Sequence, residues 1–386
     1  MTTPLEVDAT TATADGLELA TLRVLLVHEW IYTWAGAERV LEQLVTLMPH
    51  ADVLAGIITP RMRRENAIAR RAKESWVGWI PGARAKHRWF LPLHFAAFRT
   101  FDTSRYDLIV SNSHAFEKAI RPRNPDAVHV SYCLSPPRYL WDLSDAHDAY
   151  ATPIQRTALS GTRALLRRLD RASADGVDHF VSQSRYVSER VRRCYGRASG
   201  IVHPPVSAKP VAARTTGVKR ERFLFTMGRL VPYKRVDLAV AAAKKLGMRL
   251  VIAGDGPERA RLQQQAGPET TFLGEISEAE AGRLLDTCAA FVFCADEDFG
   301  IAPIEANAHG APVVALGRGG VRETMQEDRT AVFFDAPSAD AVAAAVERCL
   351  RMTWDPETLR ANAARFSPEH FRAGMRREIA RALGAA

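Results

Sequence analysis

The sequence predicts an α/β protein of two doubly wound parallel-sheet domains facing across a cleft, and three observations lead there. At 386 residues the chain is longer than one ordinary core supports and suits two domains. Short β-branched runs alternate with helical patterns, the rhythm of a parallel sheet. That rhythm breaks at a stretch rich in proline and small residues, Ile201 to Gly217, and then restarts.

In chain order, residues 1–20 read as a disordered polar tail with neither the basic start nor the apolar run of an export signal, so a cytoplasmic chain is expected. The first domain, 21–205, is predicted to carry strands at Arg23 to Val27, Val53 to Ile58, Leu108 to Ser111, Val128 to Tyr132 and Phe180 to Ser182. The second, 206–365, repeats the pattern at Phe223 to Thr226, Leu250 to Ala253, Phe291 to Phe293, Val313 to Ala315 and Val332 to Phe334. Ligands of such sheets sit beyond the carboxyl ends of the strands, so the loops that follow them are the candidate site.

Composition narrows the function classes. With 47% hydrophobic and 25% charged residues the chain can bury a core. No apolar run is long enough to cross a bilayer; even Phe90 to Phe98 is interrupted by Pro92 and His94. Five scattered cysteines without a C-x-x-C pair, and no histidines clustered at metal-ligand spacing, predict reduced buried thiols and no metal. A surplus of 8 positive charges attracts phosphate ligands, anionic lipid or nucleic acid without choosing among them. Neither zinc-finger spacing nor an aromatic RNA-binding signature is present, so no nucleic-acid partner is expected.

Between Arg61 and Arg99, Trp76, Trp79, Trp89 and Phe90 interleave with arginine and lysine. Two readings stand side by side: a peripheral contact with anionic membrane through 61–99, or a solvated helix face whose tryptophans pack into the core.

The chemistry-bearing loops follow the predicted strands. After the first come His28, Glu29 and Trp30, then a small-residue turn through Gly36 that opens an amphipathic helix and suits a phosphate. The G-x-G-x-x-G and G-x-x-x-x-G-K-[ST] signatures are both absent, which removes support for NAD and ATP-hydrolysing functions. In the second domain Gly228 and Arg229 precede Lys234 across a strand-to-helix turn, and the two cations can neutralise a diphosphate leaving group. Further on, Glu297, Phe299, Gly300 and Ile301 lead into a helix carrying Glu305, with seven residues between the two glutamates. Glu305 can accept from both ribose hydroxyls, and Glu297 can hold sugar hydroxyls. Asp296 and Asp298 match a short acid-x-acid pattern used elsewhere for metals, but their place before a glycine turn fits nucleotide contact better.

Together, G-R-L-V-P-Y-K-R, the E-x7-E segment and Arg318-Gly319-Gly320-Val321-Arg322-Glu323-Thr324 resemble the retaining glycosyltransferase family 4 of the GT-B fold, with two Rossmann-like domains. VHEWIYTWAGAERVLE, VSNSHAFEK and SYCLSPPRYLWD are similar to its bacterial mannosyltransferase branch of surface-polysaccharide assembly. The resemblance implies a donor diphosphate on Arg229, Lys234 and the Gly319-Gly320 turn, ribose on Glu305 and the transferred sugar on Glu297. It also implies that residues 366–386 return as a helix to brace the first domain. One departure is Leu134, where related sequences carry histidine; His114 and Arg138 are the candidates to take part there.

The expected activity is therefore transfer of a hexose, first of all mannose from GDP-mannose, to a saccharide or lipid-linked acceptor. The sugar nucleotide is a co-substrate and no cofactor is expected. Arg229, Lys234, Glu297 and His114 are the catalytic candidates, and His28, Glu29, Trp30 and Arg138 the acceptor side. A UDP-sugar transferase with a soluble acceptor and a sugar-nucleotide epimerase on the same fold are the alternatives, with a nucleic-acid-binding protein a distant third.

Overall fold

The computed structural model describes residues 19–142, 153–206 and 220–384. Most of the expected tail and the interval 207–219, which holds the end of the expected proline-rich stretch, lie outside the described residues.

The first lobe is built on β1 (Val24–Ile31), β2 (Asp52–Ile58), β3 (Lys73–Glu74), β4 (Leu108–Ser113), β5 (Val128–Cys133), β6 (His179–Ser182) and β7 (Ser199–Ile201), in the order β3-β2-β1-β4-β5-β6-β7. The second is built on β8 (Glu221–Met227), β9 (Arg249–Ala253), β10 (Thr270–Gly274), β11 (Cys288–Phe293), β12 (Val313–Leu316) and β13 (Ala331–Phe334), in the order β10-β9-β8-β11-β12-β13. Adjacent strands pair in parallel in both sheets. Helices cover both faces, so central strands such as β1 and β4 are buried along nearly their whole length and read as unbroken apolar runs.

Three strands escape the sequence reading: β3, β7 and β10. All three are sheet edges. An edge strand has one neighbour and a partly solvated face, so it needs no apolar run; β10 alternates partly buried and exposed positions up to its last residue.

Each sheet reverses its winding once. In the first, β1 lies between β2 and β4; in the second, β8 lies between β9 and β11. At such a switch point the loops leaving two adjacent strands diverge to opposite faces and open a crevice. The crevices of the two lobes face each other.

The chain ends on a helix, Pro368–Ala382, capped by the Ser367 hydroxyl and started by Pro368 at its first position. Its Phe371, Met375 and Ile379, spaced by four, are buried in the same apolar cluster as β1, β2 and β5 of the first lobe. The Phe371 ring stands edge-on to Tyr132, 5.4 Å between centroids, and Glu378 Oε2 lies 2.7 Å from His179 Nε2.

All five cysteines are free and buried. No helix among the described residues is long and apolar enough to cross a membrane. In the 61–99 segment the core-packing alternative does not hold for two of the tryptophans: Trp79 is 76% and Trp89 83% exposed.

Candidate functional site

A cleft of about 1740 Å³ separates the lobes. The second lobe contributes the loops after β8, β9 and β11, and the first lobe contributes Thr33–Gly36, one face of the following helix, Arg138 and Gln183.

The loop after β8 is tight. Gly228 has φ 138°, and a Cβ there would stand 3.0 Å from Lys234 Nζ, so glycine lets the lysine fold back over its own turn. A short 3-10 turn, Pro232–Lys234, then aims the side chain into the cleft. Arg235, which follows, has φ 50°. A left-handed backbone at that position explains why glycine suits it, and here a bidentate contact of Arg235 with Asp237 spans the bend.

Lys234 Nζ meets Glu297 Oε1 at 2.8 Å. Burial pulls the lysine pKa down, but Glu297 outweighs it and holds the value above the usual one, so the ammonium is charged. Arg229 is exposed on the cleft wall and has no ion-pair partner among the described residues, which leaves its fork open to an anion. Tyr233, between the two cations, lies under the Arg138 guanidinium at 5.5 Å.

The loop after β11 supplies Glu297, Gly300 and Ile301, and the helix Ile301–Ala308 places Glu305 on the same cleft. Burial raises the Glu305 pKa, with Arg39 working against it. Arg39 belongs to the first lobe: its Nη1 lies 3.7 Å from Glu305 Oε1, and the same side chain pairs with Glu278. On the same helix face, a Cβ on Gly36 would stand 3.1 Å from Ile301 Cδ1, so the small residue permits close approach of the lobes.

Several expected contacts sit elsewhere. Gly319 and Gly320 do not line the cleft. They brace its wall from behind: Gly320 donates to the Glu297 carbonyl at 2.8 Å. A Cβ on Gly319, whose φ is 71°, would come within 2.4 Å of that same oxygen. Phe299 reaches the cleft wall, but its ring is buried between His203 and Phe366, 5.4 and 5.5 Å away.

His28, Glu29 and Trp30 also stand away from the cleft lining. β1 runs to Ile31, beyond its expected end at Val27, so these are strand residues and none lines the cleft. His28 acts through its neighbours: it lies 3.7 Å from Glu38, whose other oxygen accepts from Ala35 N–H at 3.1 Å. Asn112, which donates to the Ala37 carbonyl at 2.7 Å, contacts His28 Nδ1 at 3.2 Å. The pair thereby fixes the turn that carries Gly36.

His114 lies beside Glu29, Nε2 to Oε2 3.1 Å, and near Glu117 at 3.6 Å, and it is not among the cleft-lining residues. Burial lowers its pKa against the pull of Glu117. Ligand atoms of Glu29, His114 and Glu117 fall within 4.8 Å of one another, a grouping that spacing did not reveal because β1 and the turn after β4 meet only in the fold. Glu117 is committed there to the backbone N–H groups of His114 and Ala115. Leu134 packs against the first core, and its carbonyl accepts from Gln183.

Asp296 and Asp298 join the lobes. Asp298 pairs with the buried Arg190 of the first lobe, which also holds Asp142, and Arg138 Nη2 donates to the Asp296 carbonyl at 3.0 Å. Ser184 Oγ donates to the Asp298 carbonyl at 2.6 Å, and Glu323 caps Arg185 N–H and Tyr186 N–H at 2.8 Å each.

Sequence reasoning missed Arg39, Glu278, Arg190 and Gln183. Arg39 had a signal, since Gly36, Arg39 and Gln43 share one helix face by spacing; the others did not.

Residues 212–366 match the family model described as Glycosyl transferases group 1. The chain is 31% identical over 217 residues to a GDP-mannose-dependent alpha-(1-6)-phosphatidylinositol monomannoside mannosyltransferase of Mycobacterium tuberculosis, covering 49% of this chain and 55% of the relative. It is 30% identical over 197 residues to a GDP-mannose-dependent alpha-mannosyltransferase of Mycolicibacterium smegmatis, covering 50% of this chain and 52% of the relative. The matched part thus spans about half the length of these two relatives. Among solved structures, a sucrose-phosphate synthase from Thermosynechococcus elongatus superposes with TM-score 0.69 at 19% identity, over 94% of this chain and 100% of that one. Anabaena HepE in complex with UDP superposes with TM-score 0.65 at 16% identity, over 95% and 100%. The fold is GT-B.

Proposed function

We propose, from the match of residues 212–366 to the glycosyl transferases group 1 model, that the chain transfers a hexosyl unit from a sugar nucleotide to a saccharide or lipid-linked acceptor. The observation that carries this is the meeting of Arg229, Lys234, Glu297 and Glu305 on one cleft at the switch point of the second sheet, opposite Gly36 and Arg39 of the first lobe. Mannose from GDP-mannose is the donor we favour, on the strength of the names of the mannosyltransferase relatives.

In this reading the diphosphate lies by Arg229 and Lys234, the ribose hydroxyls donate to Glu305, and Glu297 turns from Lys234 to the transferred sugar. Breaking the bond between the anomeric carbon and the phosphate oxygen leaves negative charge on the diphosphate, and two fixed cations in a sheltered cleft lower that barrier. The acceptor oxygen bonds to the anomeric carbon from the same face, and its proton passes to the departing phosphate oxygen. Configuration is retained without an enzymic nucleophile. Closure of the lobes aligns the partners.

The reading takes no metal: Asp298 is engaged by Arg190 and Glu297 by Lys234, which favours nucleotide contact over ion binding. It sets the reaction in the cytoplasm, at the inner membrane face when the acceptor is lipid-linked.

A thermal-shift panel of GDP, UDP, ADP and their sugar conjugates, with and without chelator, tests the proposal. Stabilisation by a guanosine nucleotide that survives chelator is expected. No stabilisation by any nucleotide overturns the function, a preference for UDP overturns the donor, and loss of the effect with chelator overturns the metal-free reading.

A further inference from the structure

The two most exposed aromatic side chains described, Trp79 at 76% and Trp89 at 83%, stand on one surface segment of the first lobe, with the partly exposed Leu93 beyond them. Their exposure is not that of a loose loop. Ala83 between them is fully buried, Tyr32 Oη donates to the Arg84 carbonyl at 2.6 Å, and the His87 ring packs at 4.5 Å from both Trp30 and Tyr32. Burial holds the Tyr32 phenol up at about 12, neutral and able to donate. A well-anchored scaffold therefore presents two indoles to solvent, where their apolar area gains nothing from the fold.

The charge around them has one sign. No aspartate or glutamate occurs between Glu74 and Asp102, and Glu74 itself is buried beneath Arg63 and Arg84. Lys86 is exposed, with its ammonium 5.9 Å from the Trp89 ring. Amphipathic indoles beside an exposed lysine match the headgroup layer of an anionic bilayer, which takes the rings at its interface and the ammonium at its phosphates.

We propose that the Trp79–Trp89 segment seats the first lobe on an anionic lipid surface. The segment packs on Trp30 and Tyr32, immediately before Thr33 and Trp34 on the cleft rim, so docking brings the mouth of the cleft to the membrane. That link to the cleft deepens the proposed function and rests on it for a lipid-linked acceptor; the lipid contact itself does not.

The test is flotation of the full chain with phosphatidylglycerol-rich and pure phosphatidylcholine vesicles, with tryptophan fluorescence as a second readout. Binding to the anionic vesicles alone is expected, weakened by salt, with a blue shift in emission. The double variant Trp79→Ser/Trp89→Ser should weaken it about tenfold or more, and Lys86→Glu should also weaken it, while the nucleotide thermal shift stays at the native value. Absence of binding by the native chain, or equal binding by the double variant, overturns the proposal. So does a concentration-dependent dimer that the double variant abolishes without any vesicle binding, since the ridge would then serve a second copy of the chain. A missing nucleotide shift with vesicle binding intact tells against the proposed function and leaves the docking surface standing.

Discussion

Lys234 Nζ lies 2.8 Å from Glu297 Oε1, so the cation delivered by the loop after β8 is held by the carboxylate delivered by the loop after β11. The two loops leave neighbouring strands at the one place where the second sheet reverses its winding. A ligand bringing its own anion can replace Glu297 on the lysine and release the glutamate for hydroxyl contacts, which converts a resting ion pair into two ligand contacts.

Lys234→Ala and Arg229→Ala should each lower kcat by about a hundredfold or more, the usual effect of removing a charge stabiliser from a leaving group. Both side chains stand on the cleft wall, so folding should be little changed. Steady-state release of nucleotide in the presence of acceptor, beside a thermal melt of each variant, checks the expectation; native turnover by the double variant would overturn the assignment.

Glu305 gives a pH signature. Burial raises its pKa above the ordinary 4.5, Arg39 notwithstanding, so the folded chain keeps a proton that the unfolded chain has already released. From pH 4.5 upward to the raised value, stability contributed by the protonated group is lost. In the proposed function ribose contact uses the Glu305 carboxylate, so nucleotide affinity should strengthen across the same window. Glu305→Gln should flatten both trends and bind nucleotide more weakly at neutral pH. Urea unfolding and calorimetric titration across that window measure the two.

Arg190 is 3% exposed at its side chain and is held by Asp298 of the second lobe and Asp142 of the first. Arg190→Ala removes the buried guanidinium that joins Asp298 to Asp142, leaving Asp298 with only Arg138 Nη1 at 3.9 Å among the described residues, and should destabilise the chain by about 1.5–3 kcal/mol. Scanning calorimetry should show a lower Tm, with the fall smaller in Arg190→Ala/Asp298→Asn, where the stranded charge is also removed.

Phe371→Ala should cost about 3–5 kcal/mol, because its ring fills a fully enclosed site against Tyr132 in the core of a lobe that begins more than 300 residues earlier in the sequence. Denaturant unfolding followed by tryptophan emission, whose residues lie mostly in the first lobe, should report the loss. An unchanged midpoint would mean that the terminal helix does not brace that lobe.

By itself the sequence determined the two-sheet architecture and the loops that line the cleft. Buried parallel strands demand apolar runs on both faces, and the runs at β1, β8 and β11 are legible without any fold; Gly228, Arg229, Lys234, Glu297 and Glu305 stand at or just beyond the ends of such runs. The edge strands β3, β7 and β10, being half solvated, left no comparable pattern.

Tertiary structure alone decided which side chains cross between lobes. Arg39 meets Glu305, Arg190 meets Asp298 and Glu323 caps the turn at Arg185 over separations of more than a hundred residues, and no local periodicity encodes such pairs. It also decided that His28 and Glu29 are strand residues and that Trp79 and Trp89 face outward. Local sequence sets propensity and pattern, but burial depends on what the rest of the chain lays on top.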